Sequence, residues 1–197
     1  MQISDFNKSP QLRFIQRPAT HDGKALDVTE GEGRRSIDKE GPFVIGVCGG
    51  GSSGKAKVCQ AILEAVKQST DGQISYIRLE DFYRPLSGDD LLLADQGRYN
   101  FDHPDAVDME LFHKCLSGII NGKSVSLPSY DFTNKQRVDG SNTIHAPAVV
   151  IVSGIFLLYS RNVRDLIDLK VFVDVDSDVR LANQGFLSFV SLFSFNF

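Results

Sequence analysis

The sequence predicts an α/β protein built on a doubly wound, parallel β-sheet. Short apolar runs of strand length recur between residues 43 and 173. Segments with apolar residues every three or four positions separate these runs, as expected for helices that pack on a sheet. A glycine-rich turn joins the first run to the first such helix. Strands buried on both faces are apolar throughout, and the helical crossovers between them are right-handed.

The predicted elements alternate along the middle of the chain. Strands are predicted at residues 43–48, 74–79, 148–152 and 169–173. Helices are predicted at residues 55–68, 107–120 and 163–166. Residues 124–127 and a segment near Thr143 are predicted to pair as a short antiparallel arm. Because ligands of such sheets bind beyond the carboxyl ends of the strands, the residues that follow each strand are the first candidates for a site.

Composition divides the chain into three segments. Residues 1–41 mix charged residues, proline and glycine without a period, which predicts a disordered or loosely attached arm. Residues 42–182 carry the predicted domain. Residues 183–197 hold five phenylalanines and no charge. This last segment has two explanations: a truncated or alternatively processed end that replaces the natural continuation, or a membrane-interface anchor, which would ordinarily carry Lys or Arg.

The overall composition is that of an ordinary globular protein, with 42% hydrophobic and 23% charged residues. A net charge of −4 without a long basic run speaks against general nucleic-acid binding. The three cysteines have neither a disulfide pattern nor zinc spacing. No apolar run approaches the roughly 20 residues that span a bilayer, and no signal-peptide pattern opens the chain. We therefore expect a cytoplasmic protein with no nucleic-acid or membrane partner.

The glycine-rich turn has the spacing of a phosphate-binding P-loop, with Gly49 followed by Gly54 and Lys55. In such a loop, backbone N–H groups and one ammonium group surround the phosphates of a nucleotide. The predicted phosphate-binding residues are Gly49, Gly50, Gly51, Ser52, Ser53, Gly54, Lys55 and Ala56. Ala56 takes the position of the Ser or Thr whose hydroxyl normally reaches magnesium. The loop therefore predicts nucleotide binding and leaves magnesium binding in question.

Several motifs extend this interpretation beyond the loop. They are PFVIGV at residues 42–47, DFYR at 81–84, YNFDHPDA at 99–106, PSYDF at 128–132, VRDL at 163–166 and VFVDVDSDVRL at 171–181. Together they resemble the uridine–cytidine kinases of the P-loop kinase superfamily across residues 42–182. The resemblance implies a P-loop kinase-like fold and transfer of the ATP γ-phosphate, with Mg²⁺, to the 5′-hydroxyl of uridine or cytidine in pyrimidine salvage. It also suggests association with like subunits or with kinase homologues.

The resemblance implies roles for individual side chains. Glu80 takes the place of a catalytic carboxylate that accepts the 5′-hydroxyl proton and helps to hold magnesium, although it could simply cap the strand end. The nucleoside-binding set that it implies is Asp102, Tyr130, Phe132, Lys135, Arg137 and Arg180. Within that set Asp102 corresponds to a ribose ligand. Tyr130 and Phe132 correspond to the wall of the base pocket, with packing in the core as the alternative.

The chain departs from the family pattern at its metal-linked and base-linked positions. Ala56 lacks the loop hydroxyl, Glu80 is one methylene longer than the usual aspartate, and Ser153 stands where a glutamate supports the metal. Lys135 replaces a base-recognising histidine. After residue 182 the sequence has no counterpart of the arginine-rich lid helix and the C-terminal elements.

Three hypotheses follow. The chain is an active uridine–cytidine kinase, a non-catalytic relative that binds nucleotide or nucleoside or docks onto an active homologue, or a truncated product of a longer kinase. The departures predict that catalysis is weak or absent.

Overall fold

The computed structural model describes residues 11–15 and 41–194. Its strands are β1 Gln11–Ile15, β2 Phe43–Gly49, β3 Ile74–Arg78, β4 Val125–Asp131, β5 Gln136–Ile144, β6 Val149–Gly154 and β7 Leu169–Asp174. Its α-helices are α1 Lys55–Ser69, α2 Gly88–Asp95, α3 Met109–Ile120, α4 Arg161–Leu166 and α5 Ser177–Ser194. The predicted alternation of strands and helices is confirmed, with bounds that differ by a few residues.

The main sheet has five strands in the order β1-β7-β2-β6-β3. The strands β7, β2, β6 and β3 run parallel, and β2 lies at the centre with β6 and β7 as its neighbours. The predicted α/β fold with a parallel sheet is therefore confirmed. Because neighbouring parallel strands end at the same edge, Val47 of β2 pairs with Ser153 of β6 directly beside the glycine-rich turn.

Strand β1 differs from the sequence analysis, which predicted a disordered or loosely attached arm across residues 1–41. Gln11–Ile15 pairs antiparallel with β7, from Gln11 opposite Asp174 to Ile15 opposite Lys170. An ion pair of 2.8 Å between Arg13 and Asp174 adds to the pairing. The strand forms because β7 offers an open edge, which the local composition of residues 11–15 does not reveal. The other residues of the predicted arm, apart from Gly41, lie outside the described part of the chain.

Two hydrophobic clusters cover the two faces of the sheet. One packs α1 against the sheet through Ile45, Val47, Cys59, Ile151, Val171 and Val173. The other packs α3 and the turn after β3 against the opposite face, where Phe82 and Phe112 meet edge to face at 5.0 Å. Burial of these apolar side chains supplies the main driving force for this layered fold.

Strands β4 and β5 form the predicted antiparallel arm, which is longer than expected. The predicted pairing is present between Val125 and Ile144, and it continues to Tyr130 opposite Arg137. The register shifts between Leu127 and Ser129, on either side of Pro128, whose nitrogen cannot donate to a partner strand. The extended hairpin places Tyr130, which is buried in the hydrophobic core, opposite the largely buried Arg137.

Helix α5 crosses the predicted boundary between the domain and the phenylalanine-rich segment. It runs from Ser177 to Ser194, so residues 183–194 continue a helix that begins inside the domain. Residues 195–197 lie outside the described part of the chain. Across residues 11–15 and 41–194, none of the helices combines the length and the apolar character that crossing a membrane requires.

Helix α2 was not predicted from the sequence. Its eight residues include three consecutive leucines that make no helical stripe, and none of its residues is buried. A helix without a buried face leaves little periodic signal in the sequence.

Candidate active site

The turn between β2 and α1 has the backbone geometry that an anion-binding loop needs. Ser52 and Gly54 adopt left-handed φ angles of 56° and 87°. Gly54 caps the start of α1 without a side-chain hydrogen bond, and the first turn of the helix holds no acidic residue. No side chain therefore caps or neutralises the start of the helix, where the positive end of the helix dipole favours an anion.

Two cationic side chains meet at Gly50 in this loop. The Lys55 Nζ donates a hydrogen bond of 2.9 Å to the Gly50 carbonyl. The Arg180 guanidinium lies so close to Gly50 that a β-carbon there would collide with it. Sequence analysis placed Arg180 in the nucleoside-binding set, whereas the structure places its guanidinium against the phosphate loop.

Helix α5 is held against the loop by two further contacts. The Arg180 Nε donates to the Val175 carbonyl at 3.2 Å, which orients the guanidinium. The Asn183 side-chain amide donates to the Ser52 carbonyl at 3.3 Å. The start of α5 is therefore part of the wall of the loop.

The loop also contains a buried hydroxyl group without a partner. Ser53 is 3% exposed, and its Oγ has no hydrogen-bond partner in the part of the chain that the structure describes. It lies 2.9 Å from the position that a β-carbon of Gly49 would take, so only glycine fits at that position. Buried hydroxyl groups are almost always satisfied, and an orphan in a loop of this kind points to a missing polar ligand.

Glu80 follows β3 in a short 3₁₀ turn, Leu79–Phe82, and is half-buried. Burial raises its pKa above the ordinary value, while its own backbone N–H and the charges of Lys55 and Arg78 act in the opposite direction. Burial likewise lowers the pKa of Lys55, and Glu80 is the first charge that opposes this shift. The adjacent Asp81 accepts two hydrogen bonds from Arg78, of 3.1 and 2.7 Å. Glu80 is therefore the carboxylate of this acidic pair that belongs to the loop.

A pair of hydroxyl groups joins the middle of β3 to the end of β6, near Lys55 and Glu80. The Tyr76 hydroxyl of β3 and the Ser153 Oγ of β6 are 2.8 Å apart, and Ser153 is 4% exposed. The Cys59 thiol of α1 lies against both; burial raises its pKa, and the two hydroxyls oppose that shift. Sequence analysis missed Tyr76, because a tyrosine inside a predicted strand carries no signal of a polar partner.

An aromatic cluster lies beside this acidic region and comprises Tyr83, Tyr99, Phe101, Tyr130 and Phe132. The ring of Tyr83 lies 5.5 Å from Tyr130 and 5.7 Å from Phe132, and Tyr130 lies 5.0 Å from Phe132. Burial, with the charges of Glu80 and Asp102 as further causes, raises the pKa of Tyr83 to about 12. The aromatic cluster therefore lies within electrostatic reach of both carboxylates.

The structure separates the two readings of Tyr130 and Phe132. Phe132 is 54% exposed, so packing in the core does not account for it. Tyr130 is buried, yet its hydroxyl has no hydrogen-bond partner among the described residues. A tyrosine selected only for core packing would bury an unsatisfied hydroxyl at a cost of about 1–3 kcal/mol. Phe132 is therefore accessible to a ligand, whereas Tyr130 packs in the core and keeps one unsatisfied hydroxyl group there.

Arg137 lies opposite Tyr130 in the hairpin and also keeps an unpaired polar atom. One of its terminal nitrogens donates to the Tyr83 carbonyl at 3.1 Å and to the Asp108 carboxylate at 3.2 Å. Its Nε is buried and unpartnered within residues 11–15 and 41–194. Tyr130 and Arg137 are thus cross-strand neighbours, and each keeps one buried polar atom without a partner among the described residues.

The contacts of Lys135 are with helix α2 and with the segment before it. Its Nζ forms an ion pair of 2.7 Å with Asp95 of α2, and its backbone carbonyl accepts a hydrogen bond of 3.1 Å from Leu86. Gln136 donates to the Leu86 carbonyl at 2.9 Å, which adds a second link between the same segments. The structure therefore does not bring the Lys135 ammonium to the orphan atoms of Tyr130 and Arg137.

Asp102 is exposed, and its charge acts on groups of both the phosphate loop and the aromatic cluster. Its backbone N–H donates to the Asn100 side-chain oxygen at 3.0 Å, which fixes the turn. It acts on the pKa of Lys55 in the loop and on that of Tyr83 in the aromatic cluster. This position suits a carboxylate that would accept hydrogen bonds from a ligand lying between the two.

A central parallel strand that leads through a glycine-rich turn to a lysine at the start of a helix defines a P-loop protein. A family model, described as the Phosphoribulokinase / Uridine kinase family, matches residues 44–184, and the chain belongs to that family. The resemblance stated from the motifs is thereby confirmed.

Curated relatives agree with the family match. The chain is 43% identical over 147 residues to uridine-cytidine kinase 2-B of Danio rerio, across 73% of this chain and 56% of that protein. It is 41% identical over 143 residues to uridine-cytidine kinase A of Dictyostelium discoideum, across 73% of this chain and 27% of that protein. The chain thus spans about half the length of the first relative and less of the second.

Solved structures support the fold. A Silicibacter protein assigned provisionally as a fructose transport system kinase superposes with a TM-score of 0.63 at 19% identity, covering 78% of this chain and 76% of that chain. A protein from Bacillus stearothermophilus described as a possible uridine kinase gives a TM-score of 0.56 at 17% identity, with 75% and 79% covered. At these identities the likeness concerns the fold alone.

The family implies ATP and magnesium, and the residues at the loop fit the first better than the second. P-loop proteins hold magnesium with the hydroxyl after the loop lysine and an acid at a neighbouring strand end. Here Ala56 has no hydroxyl, and the strand-end Ser153 is hydrogen-bonded to Tyr76. Glu80 is the half-buried carboxylate that remains beside Lys55. This set does not fit a magnesium ion held by the protein.

Proposed function

We propose that the chain is a uridine–cytidine kinase-like protein that binds a nucleoside triphosphate on the loop and a pyrimidine nucleoside in the aromatic cluster, with weak or absent phosphate transfer. The observation that carries the proposal is the pair of unsatisfied regions on either side of Glu80. The Ser53 hydroxyl is orphaned in the loop, and the Tyr130 hydroxyl and Arg137 Nε are orphaned at the aromatic cluster. A phosphate on one side and a nucleobase on the other would satisfy both.

The phosphate half of the site works by position and charge. The N–H groups at the start of α1 bind the phosphate oxygens, and the Lys55 ammonium exchanges its bond to Gly50 for a phosphate. The Arg180 guanidinium, already at Gly50, adds a second positive charge. This arrangement would hold the phosphate chain at the end of β2, next to Glu80.

The nucleoside half would present a hydroxyl to Glu80. The base would lie against the exposed face of Phe132 and accept a hydrogen bond from Arg137 Nε, with Tyr130 as its second partner. Asp102 would accept hydrogen bonds from the ribose hydroxyls. Because burial raises the pKa of Glu80, this carboxylate is a better proton acceptor than an exposed one. It would take the proton of the attacking 5′-hydroxyl.

Weak catalysis is proposed because the groups that align the reaction are altered. Ala56 leaves no hydroxyl at the first turn of α1, and Lys135 is paired with Asp95 instead of facing the base. The longer side chain of Glu80 moves the carboxylate relative to an aspartate. A displacement of about 1 Å at a reacting group can cost about 100-fold in rate.

The test is binding and turnover by the purified chain. We expect calorimetry to detect ATP, and uridine or cytidine, with loss of ATP binding in Lys55→Ala and loss of nucleoside binding in Tyr130→Phe. We expect radiolabel transfer from ATP to the nucleoside to be absent or only just above the Lys55→Ala control. Absence of both ligands would refute the binding sites, whereas rapid, Lys55-dependent turnover would refute the impaired catalysis.

A second candidate is a non-catalytic relative that binds nucleotide or docks onto an active homologue. Two features favour this candidate. The Lys55 ammonium is bonded to the Gly50 carbonyl of its own loop, and Ala56 has no hydroxyl that could bind magnesium. The loop thus keeps its phosphate-binding backbone without that metal ligand. ATP binding without any nucleoside-dependent product would select this candidate. A truncated product of a longer kinase remains a third hypothesis, which sequencing of the full transcript would test.

The cytoplasmic location and the association with like subunits or kinase homologues also stay predictions. Cell fractionation tests the first, and light scattering of the purified chain, alone and mixed with an active homologue, tests the second.

A further inference from the structure

We propose that the loop binds its nucleoside triphosphate without a divalent cation, because the Tyr76–Ser153 hydroxyl pair and Ala56 stand where the protein ligands of that cation would be. This inference rests on the proposed nucleotide binding. It adds a residue, Tyr76, that no motif identified, and it names the ligand as a metal-free polyphosphate.

The hydroxyl pair lies at the strand end nearest to the loop. Ser153 is opposite Val47, two residues before Gly49, so β6 ends beside the point where the glycine-rich turn starts. The general P-loop arrangement places an acid at a neighbouring strand end to support magnesium. At this end the chain offers a neutral hydroxyl that is 4% exposed and bonded to Tyr76 at 2.8 Å.

The environment of the pair is suited to neutral groups. Cys59 of α1 lies against both hydroxyls, and burial raises its pKa and that of Tyr76, which keeps both uncharged. Magnesium prefers charged oxygen ligands in a near-octahedral set. Ser153 and Cys59 are buried and Tyr76 is 40% exposed, and this alcohol, thiol and phenol offer magnesium no charged ligand. Ala56 offers it no hydroxyl, so Glu80 is the one carboxylate of this set that remains beside Lys55.

Positive charge for the phosphates comes from side chains instead. The Lys55 Nζ is bonded to the Gly50 carbonyl at 2.9 Å, and the Arg180 guanidinium contacts the same glycine. A triphosphate without its cation is the more negative ligand, so two fixed cations attract it more strongly than they attract the magnesium complex. The two cations of the loop therefore favour a triphosphate without a bound cation, which is the ligand inferred from the neutral hydroxyl pair.

The decisive experiment is a calorimetric titration of the unaltered chain with ATP, once in excess EDTA and once in excess Mg²⁺. We expect the Kd in EDTA to equal or fall below the Kd in Mg²⁺. Tightening by Mg²⁺ of about tenfold or more, the size of effect expected of a supported metal site, would overturn the inference and leave the proposed nucleotide binding intact. Absence of ATP binding under both conditions would overturn both.

Substitutions attribute the effect to the hydroxyl pair. Ala56→Ser alone should leave the two Kd values in the same order, because Ser153 remains bonded to Tyr76. Ala56→Ser with Ser153→Glu should bind ATP at least about tenfold more tightly with Mg²⁺ than with EDTA. The matched control, Ala56→Ser with Ser153→Gln, has the same size without the charge and should gain nothing.

Full metal dependence in Ala56→Ser alone would contradict a role for Tyr76 and Ser153. Circular dichroism establishes that each variant is folded before it is titrated. If the glutamate variant does not fold, the titration of the unaltered chain still decides the inference.

Discussion

The Lys135 ammonium lies 2.7 Å from the Asp95 carboxylate and ties the tip of the β4–β5 hairpin to α2. Helix α2 buries none of its own residues. This ion pair, with the hydrogen bonds of Leu86 just before the helix to Lys135 and Gln136, is therefore its main attachment to the hairpin. Lys135 is one of the few non-glycine residues with a left-handed backbone, at φ 54°. That conformation turns the hairpin so that the ammonium reaches α2.

Breaking this pair should loosen α2 without unfolding the domain. Because Asp95 is 58% exposed, Asp95→Asn should cost less than about 1 kcal/mol of the free energy of unfolding. Hydrogen exchange of the α2 amides should nevertheless become faster. Arg161→Gln, which removes an exposed ion pair of 3.9 Å in α4, is the control and should leave α2 unchanged. Unchanged exchange in Asp95→Asn would mean that the pair does not hold the helix.

Arg137 and Arg84 share the Asp108 carboxylate and should contribute unequally to the free energy of unfolding. Arg137 is 14% exposed and bonded at 3.2 Å, whereas Arg84 is 52% exposed and lies at 3.8 Å. Arg137→Ala leaves a largely buried carboxylate short of its partner and should destabilise the fold by about 3 kcal/mol. Arg84→Ala should cost less than about 1 kcal/mol. Urea unfolding measures both, and equal losses would contradict the assigned roles.

Tyr76→Phe should destabilise the protein although it removes a single oxygen. The change leaves the buried Ser153 hydroxyl without its bond of 2.8 Å, at a cost of about 1–2 kcal/mol. Tyr159→Phe removes the same atom from a side chain that is 66% exposed and should change stability by less than about 0.5 kcal/mol. Thermal unfolding followed by circular dichroism compares the two variants.

Gly50→Ala should affect ligand binding more than stability. The new methyl group would meet the end of the Arg180 side chain, which is flexible and can move away. Displacing that guanidinium should weaken ATP binding by about tenfold, the value of one charge-assisted hydrogen bond. Gly185→Ala is the control, since it lies outside the loop and a β-carbon there meets nothing within 4 Å. Equal affinities of the two variants would show that Arg180 does not contact the nucleotide.

Glu80→Gln should stabilise the protein most at neutral pH. Because the folded-state pKa of Glu80 lies above its ordinary value, the native state favours the protonated form. The contribution of Glu80 to the free energy of unfolding is complete below its ordinary pKa and is lost as the pH rises through its folded-state pKa. The melting temperature of Glu80→Gln should therefore exceed that of the unaltered chain by more at pH 7 than at pH 4. The exposed control Glu64→Gln should show no such trend.

Part of the candidate site could be predicted from the sequence and part could not. The loop and Glu80 could be placed at strand ends because an apolar run followed by glycines, or by acids, is a local pattern. Lys135 and Arg180 could be named but not located, because their contacts with Asp95 and Gly50 depend on how α2 and α5 lie against distant segments. Tyr76 was not predicted as a site residue, because nothing in the sequence of β3 itself distinguishes it from the other strand residues.

The sequence by itself predicted the alternation of the strands β2 to β7 with the helices α1, α3 and α4, together with the P-loop and the family. It could do so because hydrophobic period, glycine spacing and motif identity are properties of neighbouring residues. Only the tertiary structure decided that β1 closes the edge of β7 and that Arg180 stands at the phosphate loop. It also decided that Ser153 is bonded to Tyr76, a residue 77 positions away. The physical reason is that a hydrogen bond or an ion pair depends on where two groups meet in space, and for distant residues the packing of the whole sheet sets that meeting.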